Sequence, residues 1–134
     1  MKEITSEWLK SAESDLILIS KIIREENLSH LAAFHAQQAI EKSFKAIIEE
    51  FEIGQFKTHS LENLYEKVKD IISLTFKTDL LILLDQLYID ARYPGDMGLL
   101  PEGKPSLVDL QEFYELGLEL YDKVRVICNS IGYC

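Results

Sequence analysis

The chain has 134 residues, of which 47% are hydrophobic and 28% charged, with 6 Gly and 3 Pro; this excludes a disordered or collagen-like chain and predicts one domain over residues 1–134. Its 14 basic and 23 acidic residues give a net charge of −9, which argues against autonomous binding to a nucleic-acid backbone unless a local pocket provides it. The longest apolar run, Leu80 to Leu84, is far below the roughly twenty residues of a membrane span. With no signal peptide either, a cytoplasmic protein that does not bind membranes is expected.

The first half of the chain has the apolar periodicity of two amphipathic helices. In residues 5–27 the apolar side chains are spaced three and four apart: Trp8, Ala12, Leu16, Ile19 and Ile23. Thr5 or Ser6 is available to cap this helix. The second predicted helix runs from Ser29 to about Glu52, contains neither Gly nor Pro, and ends before a glycine.

The second predicted helix separates an apolar stripe from a polar face. The stripe consists of Ala33, Ala36, Ile40, Phe44, Ile47 and Phe51. The opposite side collects Gln38, Lys42, Lys45 and Glu49, with His35 and Glu41 at its margins. Glu41 and Lys45 form an i,i+4 pair in the favourable order, so the pattern alone favours a solvated ion pair over a binding surface.

Three further helices are predicted in the second half from their capping residues. Ser60 can cap the third helix and Thr78 the fourth, while Ser106 with Asp109 resembles a capping box at the start of the last. No strand-like alternation of useful length occurs. The sequence therefore predicts an all-α fold, a four- to five-helix up-and-down antiparallel bundle.

The fourth predicted helix leads into the motif Asp90-Ala91-Arg92-Tyr93-Pro94. Pro94 pushes the residue before it out of helical geometry, so the helix is expected to end near Arg92. In one interpretation Arg92 simply interacts with the helix dipole and Asp90 pairs nearby. In the other, Arg92 is a bidentate ligand for a phosphate or carboxylate group.

The sequence provides little basis for metal or nucleophilic chemistry. The three histidines, His30, His35 and His59, are accompanied by no carboxylate cluster with metal-ligand spacing, so neither a metal nor another cofactor is expected. A serine follows His59 directly, but helix capping explains it. The two cysteines have neither a zinc-binding nor a redox-motif spacing.

Three segments in chain order resemble the HEPN family of small helical domains of archaea and bacteria: Phe34–Ala46, Thr58–Leu61 and Tyr88–Pro94. Trp8–Leu16 fits the family's first helix as well. The resemblance implies a helical bundle that is usually a homodimer with its site near the dimer interface. It also implies either binding of a nucleotide or of a minimal nucleotidyltransferase, in some members as a toxin–antitoxin pair, or metal-independent RNase activity.

The chain departs from the RNase members, which carry an Arg followed after four to six residues by His near the start of the last long helix. No histidine follows His59, and the similarly spaced Arg24 and His30 span the turn between the first two helices. The sequence thus favours a non-catalytic binding module. Its predicted nucleotide- or partner-binding residues are Gln38, Glu41, Lys42, Lys45, His59, Asp90, Arg92 and Tyr93. The alternatives are an RNase toxin that pairs His59 with Arg92 and a plain dimeric scaffold.

Overall fold

The computed structural model describes residues 1–54, 57–72, 78–91 and 105–131, and of residues 89–91 and 131 it describes the backbone only. Regular structure in these ranges is entirely helical, which confirms the predicted all-α bundle. The helices are α1 (Glu3–Ile22), α2 (Ser29–Glu50), α3 (Leu61–Val68), α4 (Asp79–Ala91) and α5 (Leu107–Ile131), with a 3-10 turn at Glu26–Leu28 before α2. None of these described helices combines the length and the apolar character needed to cross a bilayer.

Helix α1 begins earlier than predicted, because a contact with the end of α2 determines where it starts. Lys2 is extended and its main-chain N–H donates to Glu50 Oε1 at 2.9 Å, while Lys2 Nζ donates to the Glu49 carbonyl at 3.1 Å. These contacts tie the first turn of α1 to the last turn of α2. The predicted N-caps are therefore wrong: Thr5 lies inside the helix and is fully buried.

The end of α2 also differs from the prediction, because the helix stops at Glu50. The Ile53 N–H donates to the Ile48 carbonyl at 3.0 Å, and the Glu52 N–H to the Glu49 carbonyl at 3.4 Å. This pair of bonds is the Schellman arrangement, which needs a left-handed residue just past the helix. Here that residue is Glu52, with φ of 52°, rather than the glycine that follows.

The capping predictions for α3 and α5 are confirmed. Ser60 Oγ accepts from the Asn63 N–H at 3.3 Å, and Ser106 and Asp109 cap each other's main-chain N–H groups reciprocally. A contact between helices adds to the first cap, because Asp85 of α4 accepts from the Leu61 N–H at 2.8 Å. The start of α3 is thereby held against α4.

Helix α2 lies at the centre of the bundle and contacts each of the other described helices. Its Phe44, Ile40 and Ile47 are completely buried. The residues before α3 return along α2, so that the His59 carbonyl meets Gln37 and the Tyr65 ring packs 6.0 Å from the Phe44 ring. This return brings His59 beside the middle of α2, which positions the candidate site.

Candidate functional site

The first part of the site is a buried carboxylate, Glu41, which is only 4% exposed. Lys45 Nζ donates to its Oε2 at 2.8 Å, Gln37 Nε2 donates to its Oε1 at 3.2 Å, and His59 Nδ1 lies 3.2 Å from Oε2. We call these four residues the Glu41 cluster. They join the middle of α2 to the segment that precedes α3.

The Glu41–Lys45 pair is present as predicted, but the expectation that it is solvated is wrong. Lys45 is buried as well, and its ammonium lies 5.2 Å from the centre of the Trp8 ring on α1. On the other side, the His59 ring lies against Glu41. A face that looks polar on one helix is therefore enclosed by two other parts of the chain.

The second part of the site is centred on Asp15 of α1, which is 7% exposed. Lys42 Nζ donates to Asp15 Oδ2 at 2.7 Å, and His35 Nδ1 lies 2.9 Å from Asp15 Oδ1. We call these three residues the Asp15 cluster. In both clusters a carboxylate binds one lysine and the Nδ1 atom of one histidine.

Gln37 holds the middle of the site together, although sequence reasoning did not select it. The side chain is fully buried. Besides its bond to Glu41, its Nε2 donates to the His59 carbonyl at 2.9 Å, and its Oε1 accepts from Gln38 Nε2 at 2.8 Å. The helical spacing could have identified Gln37 as a buried polar residue, because it lies four residues after Ala33 and three before Ile40, within the apolar stripe.

Four rings form a row along the surface between α2 and α4. The Phe34 and Tyr88 rings stack at 5.2 Å with 17° between their planes. His35 meets Phe34 edge-on at 5.3 Å, and His59 lies 6.4 Å from Tyr88. We call these four residues the ring row. Since its two end members are the histidines of the two clusters, the row joins the clusters into one surface.

The structure brings five of the eight predicted site residues together: Gln38, Glu41, Lys42, Lys45 and His59. Asp90 belongs to α4 two residues after Tyr88, but its side chain is not among those described. Arg92 and Tyr93 lie outside the described residues. The described part of the predicted site therefore consists of the polar side of α2 and the segment before α3.

The charges of Lys42 and Lys45 are balanced by two carboxylates, Asp15 and Glu41. Lys42 and Lys45 are each held by a carboxylate at 2.8 Å or less. Removing either carboxylate to free its lysine leaves a charge poorly solvated inside the protein. In the described parts of the chain, no three His, Cys, Asp or Glu side chains are grouped so that they could hold a metal ion.

A family model matches most of the chain, and a solved structure shows the same fold. The family model described as HEPN domain matches residues 5–125. The crystal structure of an archaeal HEPN homologue superposes with a TM-score of 0.63 at 23% sequence identity, covering 96% of this chain and 99% of that one. No curated protein matches the chain.

Proposed function

The chain belongs to the HEPN domain family, and from that premise we propose that it is a non-catalytic member that binds a nucleotide at the ring row. The observation that carries the proposal is the stacked Phe34–Tyr88 pair with an imidazole at each end. Every nucleobase has a flat π-face, and stacking on an aromatic side chain contributes about 1–3 kcal/mol per base.

Polar groups that could orient a base lie beside these rings. Gln38 donates through its Nε2 to Gln37, which holds the amide in one orientation with its carbonyl oxygen as an acceptor. A base amino group is a donor of matching chemistry. The proposed roles of Gln38 and His59 are therefore to orient the base.

The proposal assigns the phosphate contact to Arg92 rather than to the two lysines. Lys42 and Lys45 are engaged with Asp15 and Glu41, so their main contribution is to hold the two clusters in place. Arg92 follows Tyr88 by four residues in the sequence, and a guanidinium presents paired donors that match phosphate oxygens. Asp90 and Tyr93 complete the proposed site as neighbours of Arg92.

Isothermal titration calorimetry with ATP, GTP, CTP and UTP tests this function. The wild type is expected to bind at least one of them, with about tenfold weaker binding by Phe34→Leu and by Arg92→Ala. Arg125→Ala is the matched control, because Arg125 lies on the exposed side of α5. Absence of binding by the correctly folded wild type overturns the proposal and favours the plain scaffold.

The same surface could also take part in protein assembly. We extend the proposal to a homodimer and to a minimal nucleotidyltransferase partner, as in a toxin–antitoxin pair, because an acidic chain of net charge −9 suits a protein partner better than an RNA backbone. Light scattering on the purified chain measures the dimer. Co-purification of a neighbouring nucleotidyltransferase, and its loss in Arg92→Ala, measures the partner.

A second candidate function, a metal-independent RNase, is favoured by the geometry of His59. Its Nδ1 lies 3.2 Å from the buried Glu41 and its side chain is 64% exposed, an arrangement that suits a general base. Incubation of the purified chain with a fluorogenic RNA tests this function. If the wild type and His30→Asn cleave the RNA and His59→Asn does not, the nuclease is favoured over the binding module.

A further inference from the structure

The side-chain amide of Gln37 is held in one orientation at the middle of the site. The side chain is fully buried, and its Nε2 donates to the His59 carbonyl at 2.9 Å and to Glu41 Oε1 at 3.2 Å. A main-chain carbonyl can only accept, and Glu41 already accepts from Lys45, so both neighbours of this end of the amide are acceptors. The reversed amide would place its oxygen against two other oxygens.

The orientation of Gln37 determines that of Gln38. Because Nε2 of Gln37 faces the His59 carbonyl, its Oε1 faces the neighbouring amide, and this oxygen can only accept. Gln38 therefore turns its Nε2 toward Gln37, at 2.8 Å. The other end of the half-buried Gln38 amide is Oε1, to which none of the described residues donates. The two amides thus end in an acceptor of fixed orientation.

Gln38 is connected to the stacked Phe34–Tyr88 pair of the ring row from two directions. It follows Phe34 by four residues on α2, and side chains with this spacing are neighbours on a helix face. Its amide also binds Gln37, which binds the carbonyl of His59. The His59 ring in turn lies 6.4 Å from that of Tyr88. A base stacked on the pair therefore has its edge within about one helical turn of Gln38 Oε1.

We infer, resting on the proposed function, that Gln37 is a positioning residue through which the site selects bases with an exocyclic amino group. Adenine, cytosine and guanine have such a group, and it donates to Gln38 Oε1. Uracil has a carbonyl where cytosine has the amino group, as hypoxanthine has where adenine has it, and a carbonyl oxygen cannot donate to Oε1. Their ring N–H is a poorer substitute, because the carbonyl beside it approaches the same acceptor. The amino base is expected to bind about tenfold more tightly.

Matched nucleotide pairs test the choice of base by calorimetry on the full chain. ATP and ITP differ in the amino group of adenine, CTP and UTP differ in that of cytosine, and ITP is also GTP without its amino group. Both members of a pair carry the same triphosphate, so a contact with Arg92 contributes equally to both. In the wild type, the amino member of the tightest-binding pair should have a Kd about tenfold lower. Equal affinities within every pair, or tighter binding of the partner without the amino group, overturn the inference.

Two substitutions assign the selection to the two amides. Gln38→Met removes the acceptor at nearly constant side-chain length, so the ratio of Kd values within the pair should fall toward one. Gln37→Leu retains Gln38 but no longer fixes its orientation, and the ratio should fall in the same way. A loss of stability alone weakens both ligands equally and leaves the ratio unchanged. Gln111→Met, on the exposed side of α5, is the matched control and should keep the wild-type ratio. A wild-type ratio in Gln38→Met, or in folded Gln37→Leu, overturns the inference.

The wild type itself reports the orientation of the amides, so the inference does not depend on the folding of Gln37→Leu. NMR scalar couplings across hydrogen bonds should join Gln37 Nε2 to the His59 carbonyl carbon and Gln38 Nε2 to the Gln37 carboxamide carbon. A coupling from Gln37 Nε2 to the Gln38 carboxamide carbon would show the reversed network and overturn the inference.

These outcomes are distinct from a failure of the proposed function. If triphosphates bind without discrimination within any pair, the proposed function stands and only the inference fails. If none of these triphosphates binds, the proposed function fails and the inference fails with it.

Discussion

Asp15 of α1 and Lys42 of α2 meet at 2.7 Å although 27 residues separate them in the chain. Asp15 accepts at the same time from the His35 ring of the same cluster. The carboxylate has two partners and the lysine has one, so the two substitutions have different consequences. Loss of Asp15 removes the acceptor of both Lys42 and His35, whereas loss of Lys42 leaves Asp15 hydrogen-bonded to His35.

We predict that Asp15→Ala lowers the free energy of unfolding by on the order of 3 kcal/mol, and Lys42→Ala by less. The double variant should lose less than the sum of the two, with a coupling of about 1–2 kcal/mol. Urea denaturation followed by circular dichroism measures all three. Lys123→Ala removes an exposed pair with Glu119 and should change stability by less than about 1 kcal/mol. Equal losses in Asp15→Ala and Lys123→Ala would contradict the prediction.

A second prediction concerns Gln37. Replacement by Leu removes its bonds to Glu41, to the His59 carbonyl and to Gln38, and buried groups left without partners cost about 1–3 kcal/mol. Gln37→Leu should therefore destabilise the fold in chemical denaturation and shift the amide NMR signals of residues 57–60. Gln111→Leu, which breaks an exposed bond to Glu115, is the control. A chain as stable as the wild type would refute the structural role assigned to Gln37.

Much of the fold could be predicted from the sequence because its signals are local. The apolar spacing of α2 and the caps at Ser60, Ser106 and Asp109 depend only on residues a few positions apart. The predictions fail where a segment distant in the sequence determines where a helix begins. At the start of α1, for example, Lys2 binds the end of α2. Local pattern cannot reveal a contact made 47 or 48 residues away.

The candidate site divides in the same way. Residues that share the polar side of α2, such as Gln38, Lys42 and Lys45, could be selected because one helix carries them all. The burial of Lys45 and Glu41 could not be foreseen, since Trp8 contacts Lys45 and His59 contacts Glu41 from elsewhere in the chain. Asp15 was not selected for a related reason: nothing in α1 alone marks it as the partner of His35 and Lys42.

A third prediction follows from the left-handed backbone of Glu52. A side chain at such a position costs about 1 kcal/mol relative to glycine. The exposed ion pair of Glu52 with Lys2, at 2.9 Å, offsets little of this free-energy cost. Glu52→Gly should therefore be more stable than Glu52→Ala by about 1 kcal/mol in thermal and urea unfolding. The alanine variant is the matched control, because both substitutions remove the ion pair and only glycine relieves the backbone.

The last prediction concerns the contact between α1 and α5, where the Tyr121 hydroxyl donates to Glu13 at 2.7 Å. Burial and this hydrogen bond raise the pKa of Tyr121 from about 10 to about 12. The folded chain then keeps the phenol proton at a pH where the unfolded chain releases it. This contribution to stability is complete below pH 10 and is lost as the pH rises toward 12. Urea midpoints measured across that range should fall less steeply for Tyr121→Phe than for the wild type.

Identical slopes for Tyr121→Phe and the wild type would show that the Tyr121–Glu13 contact does not contribute to the alkaline loss of stability. Cys128→Ala provides a separate comparison, because burial raises the pKa of that thiol to about 11. The stability that the neutral thiol contributes begins to be lost at a lower pH, near 9.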